Sequence, residues 1–475
     1  MSPLYFVIVD YDELNSLFHP GSIAIVGVSD TLIGSFMINM LLKHGFQGNI
    51  YPVNLHGGEV LGIKAYTSVK DIPGIVDYAY LQVPAQASIQ VIKDCAAKGI
   101  KLAALFTAGF GESELEGGSE LEQELVNIAR QSGVRLLGPN CMGIYCPSSH
   151  LTFSLDFPQE SGPVGVLCQS GGNSIHLVQA AAQHGIRFSK VISYGNAVDI
   201  NEADLLEYFT QDQETKVIIA YIEGVRQGKR FFQALKAATQ SKPVIVLKGG
   251  QTEAGAATTM SHTGSLAGSK EVWDSLIRQT GAISAHDIDE CADMALAFLL
   301  MKPPSSRRTA AIGFGGGATV QIADDFYRAG LILPPLPEEV RRELKQFIPV
   351  QGNIFRNPVD ASGIVWDTTK MAHAIKIIGN WSEIDLLIMY MGLDVGATPL
   401  YLTQVLGPLA ETIINSAIEL GKPVALVTYA IYSAKAHLGI LKLQQMCSAA
   451  GLPFYTSIQR AANAMDKLIG YYETK

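Results

Sequence analysis

Val164-Gly-Val-Leu-Cys168-Gln-Ser-Gly-Gly172-Asn-Ser-Ile-His176-Leu-Val-Gln-Ala-Ala-Ala-Gln-His184 decides how this chain folds. Its first five residues form an apolar, strand-like run. Gln169 and Ser170 with two glycines break it, and a helical stretch follows at once. The same construction opens the chain at Val26-Gly-Val-Ser-Asp30, where Gly34-Ser35 leads into a helix. It returns at Ile312-Gly-Phe-Gly315-Gly-Gly-Ala318. A strand running through glycines into a helix is the unit of a parallel α/β sheet.

Working outward, strand-like and helical runs alternate almost throughout. Ser22–Val28, Asn49–Val53, Asp77–Val83, Lys101–Phe106 and Val134–Leu137 read as strands of a first block. Val164–Cys168, Ser189–Tyr194, Lys216–Ile222 and Pro243–Leu247 read as a second, closed by a helix over Asp287–Met301. Thr309–Phe314, Ile384–Met391 and Pro423–Thr428 belong to a third. Cys146–Pro163, with three prolines and several serines, reads as a linker, and Lys302–Arg308 marks a second boundary. The expectation is α/β with three open parallel-sheet domains, at 1–147, 148–302 and 303–475.

The chain's 475 residues, 48% hydrophobic and 17% charged, suit three ordered domains. A net charge of −9 argues against non-specific binding to nucleic acid or anionic membranes, while leaving local anion sites open. Six cysteines without C-x-x-C spacing read as reduced thiols, and no metal site is expected. Leu4–Val9 is too short for a signal core, and Met294–Met301 is far below a membrane span. A cytoplasmic protein is expected.

Glycine-led helix starts offer free N–H groups and a favourable dipole to anions. In the first block, the loops at Val26–Asp30 with Gly34, at Val83-Pro84, at Thr107–Phe110 and at Gly138–Gly143 share one crevice. They suit a long, mostly neutral ligand with a phosphorylated end, and ordinary turn chemistry is the plain alternative. The second strand ends at Asn54, where a nicotinamide dinucleotide site usually wants an acid for the ribose, so a dehydrogenase is disfavoured. In the second block Glu223 ends a strand and faces the crevice of that sheet. His262 lies in Ser261-His-Thr-Gly-Ser-Leu-Ala-Gly268, amid amides and hydroxyls that suit an imidazole taking up a phosphoryl group. Taken alone, that segment is more simply a surface-loop histidine. Glu223 can orient such an imidazole, or serve only as a cap or a solvated side chain.

These motifs, in this order, resemble the acyl-CoA synthetases that form nucleoside diphosphates, relatives of succinyl-CoA synthetase. Ser22–Ser29, Gly48–Asn54, Gly138–Cys141, Gln169–Gly171, Tyr221–Arg226, Ser261–Gly268, Gly315–Ala318 and Asn357–Asp360 carry the likeness, from about Leu17 to the C-terminus. The nearest pattern is the α subunit of the ADP-forming acetyl-CoA synthetases. The resemblance implies a Rossmann-like coenzyme A domain and two flavodoxin-like domains. It implies that His262 is phosphorylated and that Glu223 orients it. Ser170, Gly171 and Gly172 then start one phosphate-holding helix, and Gly315, Gly316 and Gly317 an opposing one. Coenzyme A falls to Gly27, Val28, Ser29, Asp30, Gly34, Asn54, Thr107, Ala108, Gly109 and Asn140.

The reaction so implied turns acyl-CoA, ADP and phosphate into carboxylic acid, ATP and CoA, through acyl phosphate and phosphohistidine. The family's ATP-grasp module, which holds nucleotide and Mg²⁺, is not recognisable here, so a β subunit in an α2β2 assembly is expected. The chain departs from the family at Cys168 and Gly172, where Ser and Ala are usual. Neither change removes a catalytic group. A non-catalytic CoA-binding regulatory subunit is the chief alternative; a protein acyltransferase would need a further domain that is not seen.

Overall fold

The computed structural model describes residues 11–113, 116–252, 254–255, 269–392, 406–429 and 433–475. Three mostly parallel sheets organise them. The chain divides into two compact units. One spans 1–182 and 187–291 and holds the first two sheets; the other spans 183–186 and 292–475 and holds the third.

The first sheet is built from β1 (Ser22–Val26), β2 (Asn49–Val53), β5 (Tyr78–Leu81), β6 (Leu102–Leu105) and β7 (Arg135–Leu137), with the short hairpin β3 (Glu59–Val60) and β4 (Ile63–Lys64) after β2. Its order is β2-β1-β5-β6-β7, parallel throughout. Strand burial is continuous rather than alternating along β1, β5 and β6, as expected of a sheet covered on both faces. Helices α1 (Tyr11–Phe18), α2 (Phe36–His44), α3 (Ala85–Lys98) and α4 (Gly118–Ser132) accompany it. Gly45, Gly99 and Gly133 end α2, α3 and α4 in the left-handed conformation that stops a helix cleanly.

The second sheet runs β13-β12-β11-β9-β10-β8. Its strands are β8 (Gly143–Tyr145), β9 (Ser161–Cys168), β10 (Phe188–Ser193), β11 (Val217–Ile222), β12 (Val244–Lys248) and β13 (Ile283–Ala285). All pair in parallel except the edge strand β8, antiparallel to β10. Five helices follow: α5 (Gly171–Gln183), α6 (Glu202–Gln211), α7 (Gly228–Ser241), α8 (Lys270–Thr280) and α9 (Ile288–Leu300). Asn201 starts α6 with a reciprocal capping box to Asp204. Leu167, Ile192, Ile218, Ala220 and Val246 bury one face of the sheet against Phe209, Phe231 and Leu235.

The segment read as a linker, Cys146–Pro163, is packed structure instead. Leu151, Phe153 and Phe157 are buried, Phe157 lies 4.8 Å from the Tyr145 ring, and β9 already begins at Ser161. Its prolines and serines punctuate the chain, but two aromatic anchors pull it into the core. Gly143, expected to close a crevice loop of the first block, instead opens β8 of the second sheet.

In the second unit the sheet is β15-β16-β14-β17-β18-β19, from β14 (Thr309–Gly313), β15 (Ile354–Phe355), β16 (Val359–Asp360), β17 (Leu386–Gly392), β18 (Val424–Tyr429) and β19 (Phe454–Tyr455). Only β15 is antiparallel. Its helices are α10 (Gly316–Arg328), α11 (Glu338–Leu344), α12 (Thr368–Asn380), α13 (Gly407–Leu420), α14 (Ala434–Ala450) and α15 (Ile458–Glu473). Among the described residues no helix is long and apolar enough to cross a membrane.

Candidate functional site

Along its parallel strands, each of the three larger sheets reverses its winding direction once. The reversal falls between β1 and β5, between β9 and β11, and between β14 and β17. Open α/β sheets take their ligands beyond the strand carboxyl ends at such points. The three glycine-bearing loops named from the sequence leave β1, β9 and β14, one at each reversal.

Beyond β1, Gly27 has φ +95°, and a Cβ there would stand 2.6 Å from the Gln82 carbonyl. Only glycine fits that approach. Gln82 Nε2 donates to the Gly34 carbonyl at 2.9 Å, closing the Val28–Gly34 loop, and Thr31 Oγ1 accepts from the Gly34 N–H at 3.1 Å. The Ser29 hydroxyl lies 3.0 Å from that of Thr31, and Asp30 accepts from the Leu61 N–H at 3.4 Å. Asn54 Oδ1 accepts from the His56 and Gly57 amides, both at 2.8 Å, so the side chain forms a turn after β2. Thr107 donates to the Val83 carbonyl at 2.8 Å, and its own carbonyl accepts from Asn140 N at 2.9 Å, which joins those two loops. The Gly109 amide goes to Glu112 Oε1 at 2.7 Å, while Ala108 stays exposed. Sequence reading missed the apolar residues beside these loops: Leu32, Ile33 and Leu55 are more than four-fifths exposed.

At the second reversal, Gln169 Oε1 accepts from both Glu223 N (2.7 Å) and Gly224 N (3.0 Å). Ser170 Oγ accepts from Asn173 N at 3.4 Å in the first turn of α5. A Cβ on Gly171 would reach 2.8 Å from Met142 Cγ, whereas one on Gly172 would meet open space. Cys168 is buried, and burial pushes its thiol well above the usual range; it donates to the Ser170 carbonyl at 3.0 Å. Cys168 thus keeps a hydrogen bond within this loop. Glu223 is buried beside Tyr221, whose phenol is raised by burial first and then by the Glu223 charge. A cleft of about 560 Å³ adjoins them, lined by Asn173, His176, Tyr221, Lys248, His286 and Asp289 among others. His262 lies outside the described residues.

At the third reversal the Gly315 amide donates to Asp360 Oδ1 at 3.1 Å and to Ser362 Oγ at 2.9 Å. Of the expected glycine trio, Gly315 is thus engaged within the protein. The amides of Gly316 and Gly317 stand in the first turn of α10, where a helix has no carbonyl to offer them. No cluster of three or more His, Cys, Asp or Glu suited to a metal ion occurs among the described residues.

Residues 21–147 match the family model of a CoA binding domain, and residues 161–298 that of a succinyl-CoA ligase like flavodoxin domain. The α subunit of acetate–CoA ligase [ADP-forming] II of Pyrococcus furiosus is 37% identical over 96% of this chain and 97% of its own length. The corresponding subunit of isoform I from that organism is 36% identical over 98% of each. Acetyl-coenzyme A synthetase 1 of Ca. Korarchaeum cryptofilum, solved with phosphate and ADP, superposes with a TM-score of 0.82 at 33% identity, covering 97% of both chains. These matches place the chain among the CoA ligases. The chain belongs to the NDP-forming acyl-CoA synthetase family, in the group of the ADP-forming acetate–CoA ligase α subunits.

Proposed function

We propose that this chain binds acyl-CoA on its first sheet and carries a phosphoryl group on His262 beside its second. A phosphate oxygen attacks the thioester carbonyl; the C–S bond breaks, CoA leaves as the thiol after taking up a proton, and acyl phosphate remains. His262 then attacks phosphorus; the P–O bond to the acyl group breaks and the carboxylate leaves. Phosphohistidine finally passes its phosphoryl to ADP, giving ATP, on an ATP-grasp β subunit that supplies the nucleotide site with its Mg²⁺. Thioester, acyl phosphate, phosphohistidine and ATP are all high-energy, so the protein's task is positioning and charge neutralisation.

The observation that carries this reading is the placement of a buried carboxylate and a glycine-led helix start together at the second reversal. There the Glu223 main chain is held by Gln169, two residues before the start of α5. Glu223 accepts the N–H of the His262 imidazole, while Ser170, Gly171 and Gly172 receive the phosphoryl group. In the second unit, the Gly316 and Gly317 amides at the start of α10 are suited to a phosphoryl group as well. Gly27 to Asp30, Gly34, Asn54, Thr107 to Gly109 and Asn140 hold coenzyme A. An α2β2 assembly in the cytoplasm completes the proposal.

Incubating the chain with acetyl-CoA and labelled phosphate, without nucleotide, tests it. Acid-labile, base-stable label that disappears in His262→Ala is expected. No label with any acyl-CoA, even with an ATP-grasp subunit present, leaves a CoA-binding regulatory protein.

A further inference from the structure

Lys248 is the last residue of β12, only 6% exposed, and the segment bearing His262 follows it in sequence. Its Nζ donates to the main-chain carbonyl of Glu223 at 2.8 Å and to that of Gly249, and stands 5.5 Å from the centre of the Trp273 ring. The ladder between β11 and β12 ends just before this point, with Gly249 N donating to the Ile222 carbonyl at 2.9 Å. Past it, both main-chain groups of Glu223 meet side chains among the described residues. Its N–H goes to Gln169 and its carbonyl to Lys248. A buried backbone pair held this way is oriented by those two residues.

We propose that Lys248 is a positioning residue for phosphoryl transfer: its ammonium ties the strand end that carries Glu223 to the strand that leads toward His262, and its charge offsets the negative charge that arrives there. This role rests on the phosphohistidine reading. The groups that face the ammonium or line the cleft with it are Tyr221 from β11 and Glu223 just past its end, Trp273 from α8, and Asn173 and His176 from α5. His286, Asp287 and Asp289 stand at the start of α9. Among the described residues the ammonium's immediate partners are carbonyl oxygens and an aromatic face, which suit the charged form. Burial holds its pKa down to about 8, with Glu223 pulling the other way. The cation is present below that value and lost above it.

The experiment is the rate of labelling by acyl-CoA and labelled phosphate as a function of pH, in the full chain and in Lys248→Met and Lys248→Arg. Below about pH 8 the Met variant should label ten- to a hundredfold more slowly, roughly what partners that orient a reacting group command, with an unchanged KM for acyl-CoA. The unsubstituted chain should lose rate as pH rises through about 8. Arg should restore much of the rate and remove that limb, since guanidinium stays charged. A folded Met variant with the parent's rate and profile overturns the role. Arg and Met variants equally impaired, with the limb unmoved, overturn it as well. Should the Met variant fail to fold, the limb in the Arg variant decides. Absence of label from the unsubstituted chain strikes the phosphohistidine reading itself, and this role with it.

Discussion

Gln169 and Glu223, 54 residues apart, meet through one amide oxygen that accepts two consecutive backbone N–H groups, of Glu223 at 2.7 Å and Gly224 at 3.0 Å. The side chain on one loop therefore sets the backbone of the next. Replacing it with leucine strands two buried donors, each costing roughly 1–3 kcal/mol. Gln169→Leu should lower the denaturation midpoint and abolish labelling on His262. Gln169→Glu keeps the acceptor but adds negative charge beside the start of α5. It should stay near parental stability while labelling more slowly.

Glu202 predicts an unusual dependence of stability on pH. It is fully buried in the first turn of α6, and neither carboxylate oxygen has a hydrogen-bond partner of ordinary geometry among the described residues. Burial, then the Asp204 charge, push its pKa from 4.5 up to about 7, with the Arg226 charge and backbone N–H groups opposing. The folded chain thus keeps this proton after the unfolded chain has lost it. Stability from this group falls as pH rises from about 4.5 to about 7 and is level beyond, by up to the order of 3 kcal/mol. Glu202→Gln should raise the midpoint at pH 8 and change it little at pH 4.5; equal midpoints at pH 8 would refute the assignment.

The glycines of the two loops in the first unit should respond in opposite ways. Gly27 combines φ +95° with no room for a Cβ, so Gly27→Ala should weaken CoA binding at least tenfold by moving the Val28–Gly34 loop. Gly172 faces open space, so a methyl group there meets nothing. Gly172→Ala should leave phosphoryl labelling within about twofold, and should add slight stability through higher helix propensity. Titration calorimetry with CoA and the labelling assay separate the two cases.

How much of this was legible beforehand follows the range of the interactions. The apolar runs at Ser22–Val26, Val164–Cys168 and Thr309–Gly313, each leading into a glycine loop, announce parallel strands through neighbours in sequence. The two- and three-residue strands β8, β13 and β16 carry too few side chains for any period to show. Cys146–Pro163 looked like a linker because its turn residues outnumber its aromatics, though Phe153 and Phe157 decide its burial. In the site, Glu223 was visible as an acid at a strand end. The parts played by Gln169, Lys248 and Glu202 were not, because each depends on partners brought near only by the sheet. The exposed apolar loop residues Leu32, Ile33 and Leu55 passed unnoticed, since a short apolar stretch reads as core until its burial is known.

Asp360 offers a test within the second unit. Its carboxylate is buried, accepts from Gly315 N at 3.1 Å and lies close to the start of α10. A negative charge there stabilises the helix dipole, but it also opposes any phosphoryl group brought to the Gly316 and Gly317 amides. Asp360→Asn retains an acceptor for Gly315 while removing the charge. It should tighten binding of inorganic phosphate by roughly two- to fivefold, the size of one charge at a helix end, and should lower the midpoint slightly. Asp360→Ala loses the acceptor as well, leaving Gly315 N with Ser362 alone, and should destabilise more without a larger gain in affinity. Phosphate titrations followed by thermal unfolding distinguish the variants. If Asp360→Asn leaves phosphate affinity unchanged, the Gly316–Gly317 start is a structural turn that takes no phosphate.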